Sequence, residues 1–475
     1  MDNIKKNKKN IVNLLNKIYA IDGVISANIV GSFAQNKKLN DIGDLDLVII
    51  SKKISKEIYS KCKLIVKKNN FNTKKKVKIN DTFGPLKYNK NVYFTVHLMI
   101  YDIKGHVEHV IKSPFTCFDW ERKNISIGLK LKDIYNVNNL QLIDFFYSRR
   151  AITKYYKDLK SHQISIYSYI FKKNNYQIKS YYKNLDKLNI LNYSKHIFSQ
   201  NVNNFYKFLK QKNVKLNKKN EEIFLITQNF DKKFIKQIHR LLKNKDSEIL
   251  RIIKKFLDMF YKRLKSYKKN TSSVTFIRHA KTKNNDGSFL GKNDIGILRP
   301  KKKFNKKYGR IFSSPLKRAI QTAKLFQSNK KIKLNNNLKE INYGKADGLN
   351  FNQLKDKFPS IIKGWNNKKD VRFPSGENNK MVLSRVNHFT NTLISLDQKN
   401  ISTNYLVVTH NVFLRCLIGK FFNIEMSDWF KINIGHLKEL NFIILNGKLI
   451  PNIERKSLKK ILYFKINELS SINKT

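Results

Sequence analysis

Cysteine is scarce in this chain: Cys62, Cys117 and Cys416 stand far apart, and no two form a Cys-x-x-Cys pair. That spacing argues against a zinc site or a disulfide framework and suits a reducing cytoplasm, the expected location. Long apolar runs are missing too. The longest, near residues 45–50 and 405–408, are strand-sized, far short of the roughly 20 residues a membrane-spanning helix needs. No membrane association is expected. The first ten residues are polar and lysine-rich, and Ile11, Leu14, Leu15 and Ile18 then recur at helical spacing, so no secretory signal peptide is expected.

Acidic residues are few, 34 against 96 basic ones, for a formal net charge of +62. Such a balance invites a nucleic-acid reading. The excess, however, is nearly all lysine, is spread along the whole chain, and travels with heavy use of Asn, Ile, Tyr and Phe, the residues of AT-rich codons. Nucleic acid is therefore not the expected partner. Phosphorylated metabolites and nucleotides are polyanions as well, and the charge fits a phosphate-handling enzyme. What is plentiful is core material: 41% hydrophobic and 12% aromatic residues over 475 positions predict two or three folded domains.

Texture divides the chain into three. Residues 1–130 mix short helices with strand-like runs at 26–30, 45–50 and 92–101. Residues 131–270 read as all-α, with apolar residues at helical spacing in 140–156, 198–209 and 249–264; Tyr155, Tyr156, Tyr167, Tyr169, Tyr181 and Tyr182 are taken as core or interface residues of those helices. A polar run at 268–273 reads as a linker. Residues 271–475 alternate strand-like runs (274–277, 311–313, 405–408, 442–445) with helical ones, the α/β pattern.

Four segments of that last region carry chemistry. Residues 274–285 read VTFIRHAKTKNN: an apolar strand ends in Arg278-His279, an imidazole beside a bidentate phosphate clamp, at the strand edge where α/β proteins gather ligands. Residues 311–323 read IFSSPLKRAIQTA, a strand, a Ser-Ser-Pro turn and a helix start carrying Arg318. Residues 338–348 read LKEINYGKADG and place Glu340 before a glycine turn. Residues 405–415 read YLVVTHNVFLR, a strand ending in His410.

In this order the four segments resemble the histidine phosphatase (phosphoglycerate mutase-like) superfamily. The resemblance covers about residues 274–454 and implies a three-layer α/β domain. It implies that His279 is the nucleophile and forms a phosphohistidine, that Arg278, Arg318 and His410 neutralise the phosphoryl oxygens, and that Glu340 is the proton donor. Thr282 and Asn285 match its pocket positions. Ala280 stands where the family usually has glycine, which would matter if the backbone there needed φ > 0. No metal is required by this chemistry. Phosphomonoester hydrolysis is favoured over mutase-type transfer because the span from Arg318 through Glu340 to His410 is compact.

At the other end, residues 26–50 read SANIVGSFAQNKKLNDIGDLDLVII. Asp44 and Asp46, two apart on a strand, face one side, as carboxylates holding Mg²⁺ with a nucleoside triphosphate do. Gly31 permits close backbone approach to phosphate and Ser32 can donate to it. The block resembles polymerase-β-type nucleotidyltransferases, which implies an α+β domain, Mg²⁺ and a nucleoside triphosphate. That family's third carboxylate has no match in 92–101; His97 or Asp102 is left to supply the ligand. The expected protein is thus a multidomain, bifunctional enzyme acting on a small phosphorylated metabolite. Two alternatives remain open, an active phosphatase with a nucleotide-sensing N-terminal module and an RNA-associated protein.

Overall fold

The computed structural model describes residues 2–35, 43–83, 92–148, 152–172, 175–211, 271–283, 287–300, 304–326, 331–398, 402–445 and 447–464, with scattered positions between 251 and 265. They form two compact units, one within Met1–Leu264, the other within Lys265–Phe464. Among the described residues no helix is long and apolar enough to cross a membrane.

In the first unit, β1 (Val24–Val30), β2 (Asp44–Ser51), β3 (Lys76–Asn80), β4 (Tyr93–Asp102) and β5 (Ile125–Gly128) form one sheet in the order β3-β4-β2-β1-β5. β2 runs antiparallel to β1 and parallel to β4. Alternation decides what each face carries. Leu45, Leu47 and Ile49 of β2 and Phe94, Val96, Leu98 and Ile100 of β4 pack into a core with Ile11, Leu14, Leu15 and Ile18 of the first helix. Asp44, Asp46, Thr95 and His97 fall on the opposite face.

The all-α reading of 131–270 needs correction. Two ten-residue strands, β6 (Gln163–Lys172) and β7 (Asn175–Asn184), pair antiparallel throughout. Tyr167, Tyr169, Tyr181 and Tyr182, assigned above to helices, all lie on them. Tyr169 meets Tyr59 and Phe83 edge-on and donates to the Ile100 carbonyl, so the hairpin docks on the sheet's core. Isoleucine and tyrosine recurring every second residue in both segments favour pairing over a helix. Helices do occupy Asp144–Tyr147, Ile152–Ser161 and Lys187–Gln211, and much of the expected helix at 249–264 lies outside the described residues.

The second unit has a six-stranded sheet, β10-β9-β11-β8-β12-β13, from β8 (Ser272–Arg278), β9 (Arg310–Ser313), β10 (Ile332–Leu334), β11 (Asn404–Thr409), β12 (Glu439–Leu445) and β13 (Lys448–Pro451). β10, β9, β11 and β8 run parallel; β12 and β13 add an antiparallel edge. Both faces are covered. Val274, Phe276, Tyr405 and Val407 enter a large core with the helices Asn379–Gln398 and Asn411–Phe421, while Ile277, Leu406 and Val408 meet Ala319 and Ala323 of the helix Lys317–Lys324 behind. This is a three-layer α/β fold, and strands buried on both sides explain the unbroken apolar runs IF and YLVV.

Gly344 holds the turn after Glu340 at φ +57, and a Cβ there would stand 2.0 Å from the Pro374 carbonyl oxygen. Neither the backbone conformation nor the space admits a side chain. Gly344→Ala is expected to cost about 2–4 kcal/mol of stability, read as a lower unfolding midpoint of the second unit; an unchanged midpoint would contradict this packing.

Candidate active site

β8 and β11 are parallel neighbours, with Thr409 opposite Arg278, so both end at the same sheet edge. The residue after each is a histidine. The His279 amide donates to the Thr409 carbonyl (3.0 Å), and the His279 and His410 rings lie 5.1 Å apart between centroids.

His279 is nearly inaccessible. Its Nδ1 lies 2.7 Å from the Ala280 carbonyl oxygen. A carbonyl can only accept, so Nδ1 carries the proton and the lone pair belongs to Nε2. Burial, aided by the Arg318 and Arg278 charges and by His436 and opposed by the Ala280 bond, pushes its pKa down to about 3. The ring therefore stays neutral and nucleophilic far into acid. Ala280 is itself held, its amide donating to Thr322 Oγ1 (2.9 Å), and it is not among the residues with positive φ. Alanine in place of glycine costs this loop no strain.

Arg278 donates through Nη1 to the Ile434 carbonyl (2.8 Å), while its Nε is buried with no partner among the described residues. That orphaned donor, on the residue before His279, is a group that an oxyanion would satisfy. Arg318 is used differently. It is buried, and its Nη1 and Nη2 donate to the carbonyls of Asn293 (2.6 Å), Leu290 (3.1 Å) and Gly291 (3.0 Å) while Nε donates to His410 Nδ1 (3.3 Å). One of its five N–H groups is left. It ties the 290–293 loop to the site and leaves its positive charge there. His410 Nε2 in turn donates to Ser314 Oγ (2.8 Å), so both its nitrogens are engaged within the protein, and its share in holding phosphoryl oxygens requires one of them to change partner. Burial, followed by the charges of His279 and the arginines, holds its pKa well below the ordinary value.

Glu340 arrives from a segment pinned to β11 by the Thr409 hydroxyl, which donates to the Leu338 carbonyl (2.8 Å). Its Oε2 accepts from the Asn411 amide (3.1 Å) and its Oε1 from the Val412 (3.1 Å) and Ile341 (3.0 Å) amides. The helix Asn411–Phe421 has no side-chain cap of its own at His410; Glu340 supplies it from the loop that follows the 3₁₀ turn Asn336–Leu338. One carboxyl group thus fixes the entry of the His410 helix and stands in the arginine cluster. Thr282 is buried and its backbone bridges Ile297; Asn285 lies outside the described residues.

Three participants went unrecognised in the sequence. Arg415, one turn into the His410 helix, has its pKa lowered by burial and raised by Tyr343 and Glu340, and donates Nε to the Ile432 carbonyl (3.0 Å). Tyr343, between Glu340 and Gly344, has its hydroxyl pKa raised by burial and then by Glu340. His436 sits in a loop before β12 with its ring 5.3 Å from that of His279. Arg415 was visible as a cation inside the last motif; a lone histidine in a loop gave no signal.

In the first unit, β2 places Asp46 opposite His97 and Asp44 opposite Thr95 on β4. His97 Nε2 lies 3.7 Å from Asp44 Oδ2. Gly31, at φ +75, closes on Asp46: a Cβ there would stand 2.4 Å from its Oδ2. Ser32 follows in the same turn, half-buried. Asp102, one of the two candidates for a third ligand, does not reach this face. It pairs with Ser51, five residues along β4 from His97 and so about 16 Å away, caps the helix Ile103–Lys112 through the Gly105 amide (2.6 Å) and accepts from Tyr176 (2.8 Å). Mg²⁺ commonly takes one or two carboxylates with substrate phosphates completing its shell, and the Asp44/Asp46 pair fits that donor set. No cluster of three or more acidic, histidine or cysteine ligands occurs among the described residues.

Comparison with known proteins bears on the second unit. Residues 274–449 match the family described as histidine phosphatase superfamily (branch 1). Two proteins of Saccharomyces cerevisiae are similar to parts of the chain: fructose-2,6-bisphosphatase, 29% identical over 133 residues, and 6-phosphofructo-2-kinase 1, 29% identical over 119. The aligned stretches cover 27% and 25% of this chain and only 28% and 14% of those relatives. Among solved structures, an Escherichia coli protein described as a putative α-ribazole-5'-P phosphatase is 19% identical, covering 38% of this chain and 96% of its own (TM-score 0.34). A phosphoserine phosphatase from Entamoeba histolytica is 22% identical, covering 38% and 95% (TM-score 0.32). Over residues 274–449 the C-terminal region is thus similar to the histidine phosphatase superfamily (branch 1).

The depressed pKa of His279 has a consequence for stability. In the unfolded chain a histidine protonates near pH 6.5; in the folded one His279 does so near 3, so between those values the unfolded state binds more protons. Its contribution is complete above pH 6.5 and is lost as pH falls towards 3, with a slope of at most about 1.4 kcal/mol per pH unit. Urea titrations of unfolding at pH 7, 6, 5 and 4 are expected to show this decline, and a shallower one in His279→Gln. Equal slopes in the two proteins would contradict the neutral, buried imidazole.

Proposed function

We propose that the second unit is a metal-independent phosphomonoesterase acting through a phosphohistidine on a small phosphorylated metabolite. The observation that carries the reading is His279 itself, a buried neutral imidazole with Nδ1 tied to Ala280 and its lone pair on Nε2, preceded in the chain by Arg278, whose buried Nε has no partner among the described residues. Nε2 attacks phosphorus and the ester P–O bond breaks as Glu340 gives its proton to the leaving alcohol. Water then attacks the phosphohistidine, Glu340 takes up its proton, and inorganic phosphate departs from the regenerated imidazole. Arg278, Arg318, Arg415 and His410 hold the developing charge in a site shielded from water, where each charge counts for more than in solution. Thr282 and Asn285 are assigned to the substrate pocket.

Hydrolysis is favoured over mutase-type transfer because the machinery is compact, with Glu340 bonded to the amides that open the His410 helix. The yeast relative named fructose-2,6-bisphosphatase puts sugar phosphates first in a substrate screen. His279→Ala is expected to lose at least about 10³-fold in kcat while keeping the wild-type unfolding midpoint, and EDTA is expected to leave wild-type turnover unchanged. Activity retained in His279→Ala would sink the assignment, as would an isomerised phosphoester in place of free phosphate the claim of hydrolysis.

A second reading concerns the first unit. Gly31 closing on Asp46, with Asp44 on the same face, favours a Mg²⁺-dependent nucleotidyltransferase site in which the two aspartates hold the cation and Gly31-Ser32 meets the triphosphate. His97, standing where the family's third carboxylate would be, suits one cation better than two. Nucleotidyl transfer from labelled nucleoside triphosphates into a metabolite pool is expected to need Mg²⁺ and to disappear in Asp44→Ala; transfer unaffected by that substitution would remove the reading and leave a phosphatase with a nucleotide-binding module.

A further inference from the structure

The loop between the 3₁₀ turn Met426–Lys431 and β12 closes on the nucleophile through three hydrogen bonds. Arg278 Nη1 donates to the Ile434 carbonyl (2.8 Å), the Leu437 amide donates to the Arg278 carbonyl (3.0 Å), and His436 Nδ1 donates to the carbonyl of His279 (2.9 Å). Leu437 keeps φ +58, an unfavourable conformation for a leucine, to turn the chain so that both bonds can form. The His436 ring lies 5.3 Å from the His279 ring, inclined at 60°. With His410 5.1 Å away, the nucleophile stands between two imidazoles. Lone histidines next to active-site arginines are ordinarily disfavoured by charge; this one is half-buried, and burial followed by the Arg278 charge keeps it neutral more readily than a free imidazole.

Resting on the phosphohistidine reading above, we propose that His436 is a positioning residue for His279, its Nδ1–H bond to the His279 carbonyl holding the nucleophile's peptide so that Nε2 faces phosphorus. The reasoning is geometric. The His279 ring is tied to the carbonyl of Ala280, so its direction depends on how the peptide plane between residues 279 and 280 sets Ala280 relative to His279. The amide of His279 is fixed by Thr409 and its carbonyl by His436. Release of the carbonyl leaves the peptide plane between residues 279 and 280 held only at its Ala280 amide, by Thr322, so that it can tilt about that bond and the Nε2 lone pair tilts with it. Misplacement of a reacting atom by about 1 Å can cost about a hundredfold in rate.

The test uses the full chain carrying His436→Ala, His436→Leu or His436→Asn. Asparagine places an N–H donor close to the position of Nδ1; alanine and leucine offer none. Phosphoramidate serves as a phosphoryl donor that needs no knowledge of the substrate, its P–N bond breaking as His279 takes the phosphoryl group and ammonia leaves. With p-nitrophenyl phosphate as a second probe, His436→Ala and His436→Leu are expected to lose about 10- to 100-fold in phosphohistidine formation and in kcat, with KM within about threefold, and His436→Asn to recover most of the loss. Unfolding midpoints measured in parallel exclude a merely unstable protein. Wild-type rates in His436→Ala, or an asparagine variant as impaired as the alanine one, would overturn the proposal while leaving the phosphatase intact. Absence of phosphohistidine in the unchanged chain would overturn both.

Discussion

Everything in the catalytic unit is organised around one hydrogen bond, from His279 Nδ1 to the carbonyl of Ala280. An imidazole can attack phosphorus only through an unprotonated nitrogen, and a carbonyl next to Nδ1 decides which nitrogen that is. Burial does the rest by disfavouring the imidazolium. The surroundings preserve that state: Thr322 anchors the Ala280 amide, Thr409 the His279 amide and His436 the His279 carbonyl. Parallel pairing of β8 with β11 brings the Thr409–His410 step alongside Arg278–His279, so the register of two buried strands sets the distance between the two histidines.

Charge is distributed unequally among the arginines. Arg318 spends most of its donors on the 290–293 carbonyls and His410, and so serves both as a brace and as a fixed positive charge. Arg278 keeps a buried Nε unmatched among the described residues, the more direct invitation to an anion. Glu340 stands among these cations and caps the His410 helix, which couples its carboxyl group to the placement of the second histidine. Preorganised charges of this kind stabilise a phosphoryl transition state without reorganising when it forms.

How far the sequence foretold this differs from element to element. Strands buried on both faces announced themselves as apolar runs, and VTFIRH and YLVVTH each carried a histidine to the edge where ligands gather. The segments around Arg318 and Glu340 were equally plain. What escaped was long-range: that Glu340 would cap a helix seventy residues on, that Asp102 would be occupied as a helix cap at the far end of β4 from His97, and that His436 would fold back onto residue 279. None of these leaves a local periodicity. The β6–β7 hairpin was misread for another reason. Its lysines and tyrosines also satisfy helical spacing, and only pairing between the two segments, with Tyr169 docking on the sheet, decides between the two.

The most direct test of the account is the regiochemistry of the phosphorylated enzyme. With Nδ1 committed to Ala280, the trapped phosphoryl group must sit on Nε2 of His279, and ³¹P NMR of the alkali-quenched protein, with peptide mapping, distinguishes the two isomers. Phosphate on Nε2 of His279 is the predicted result. Phosphate on Nδ1, or on any other residue, would contradict it.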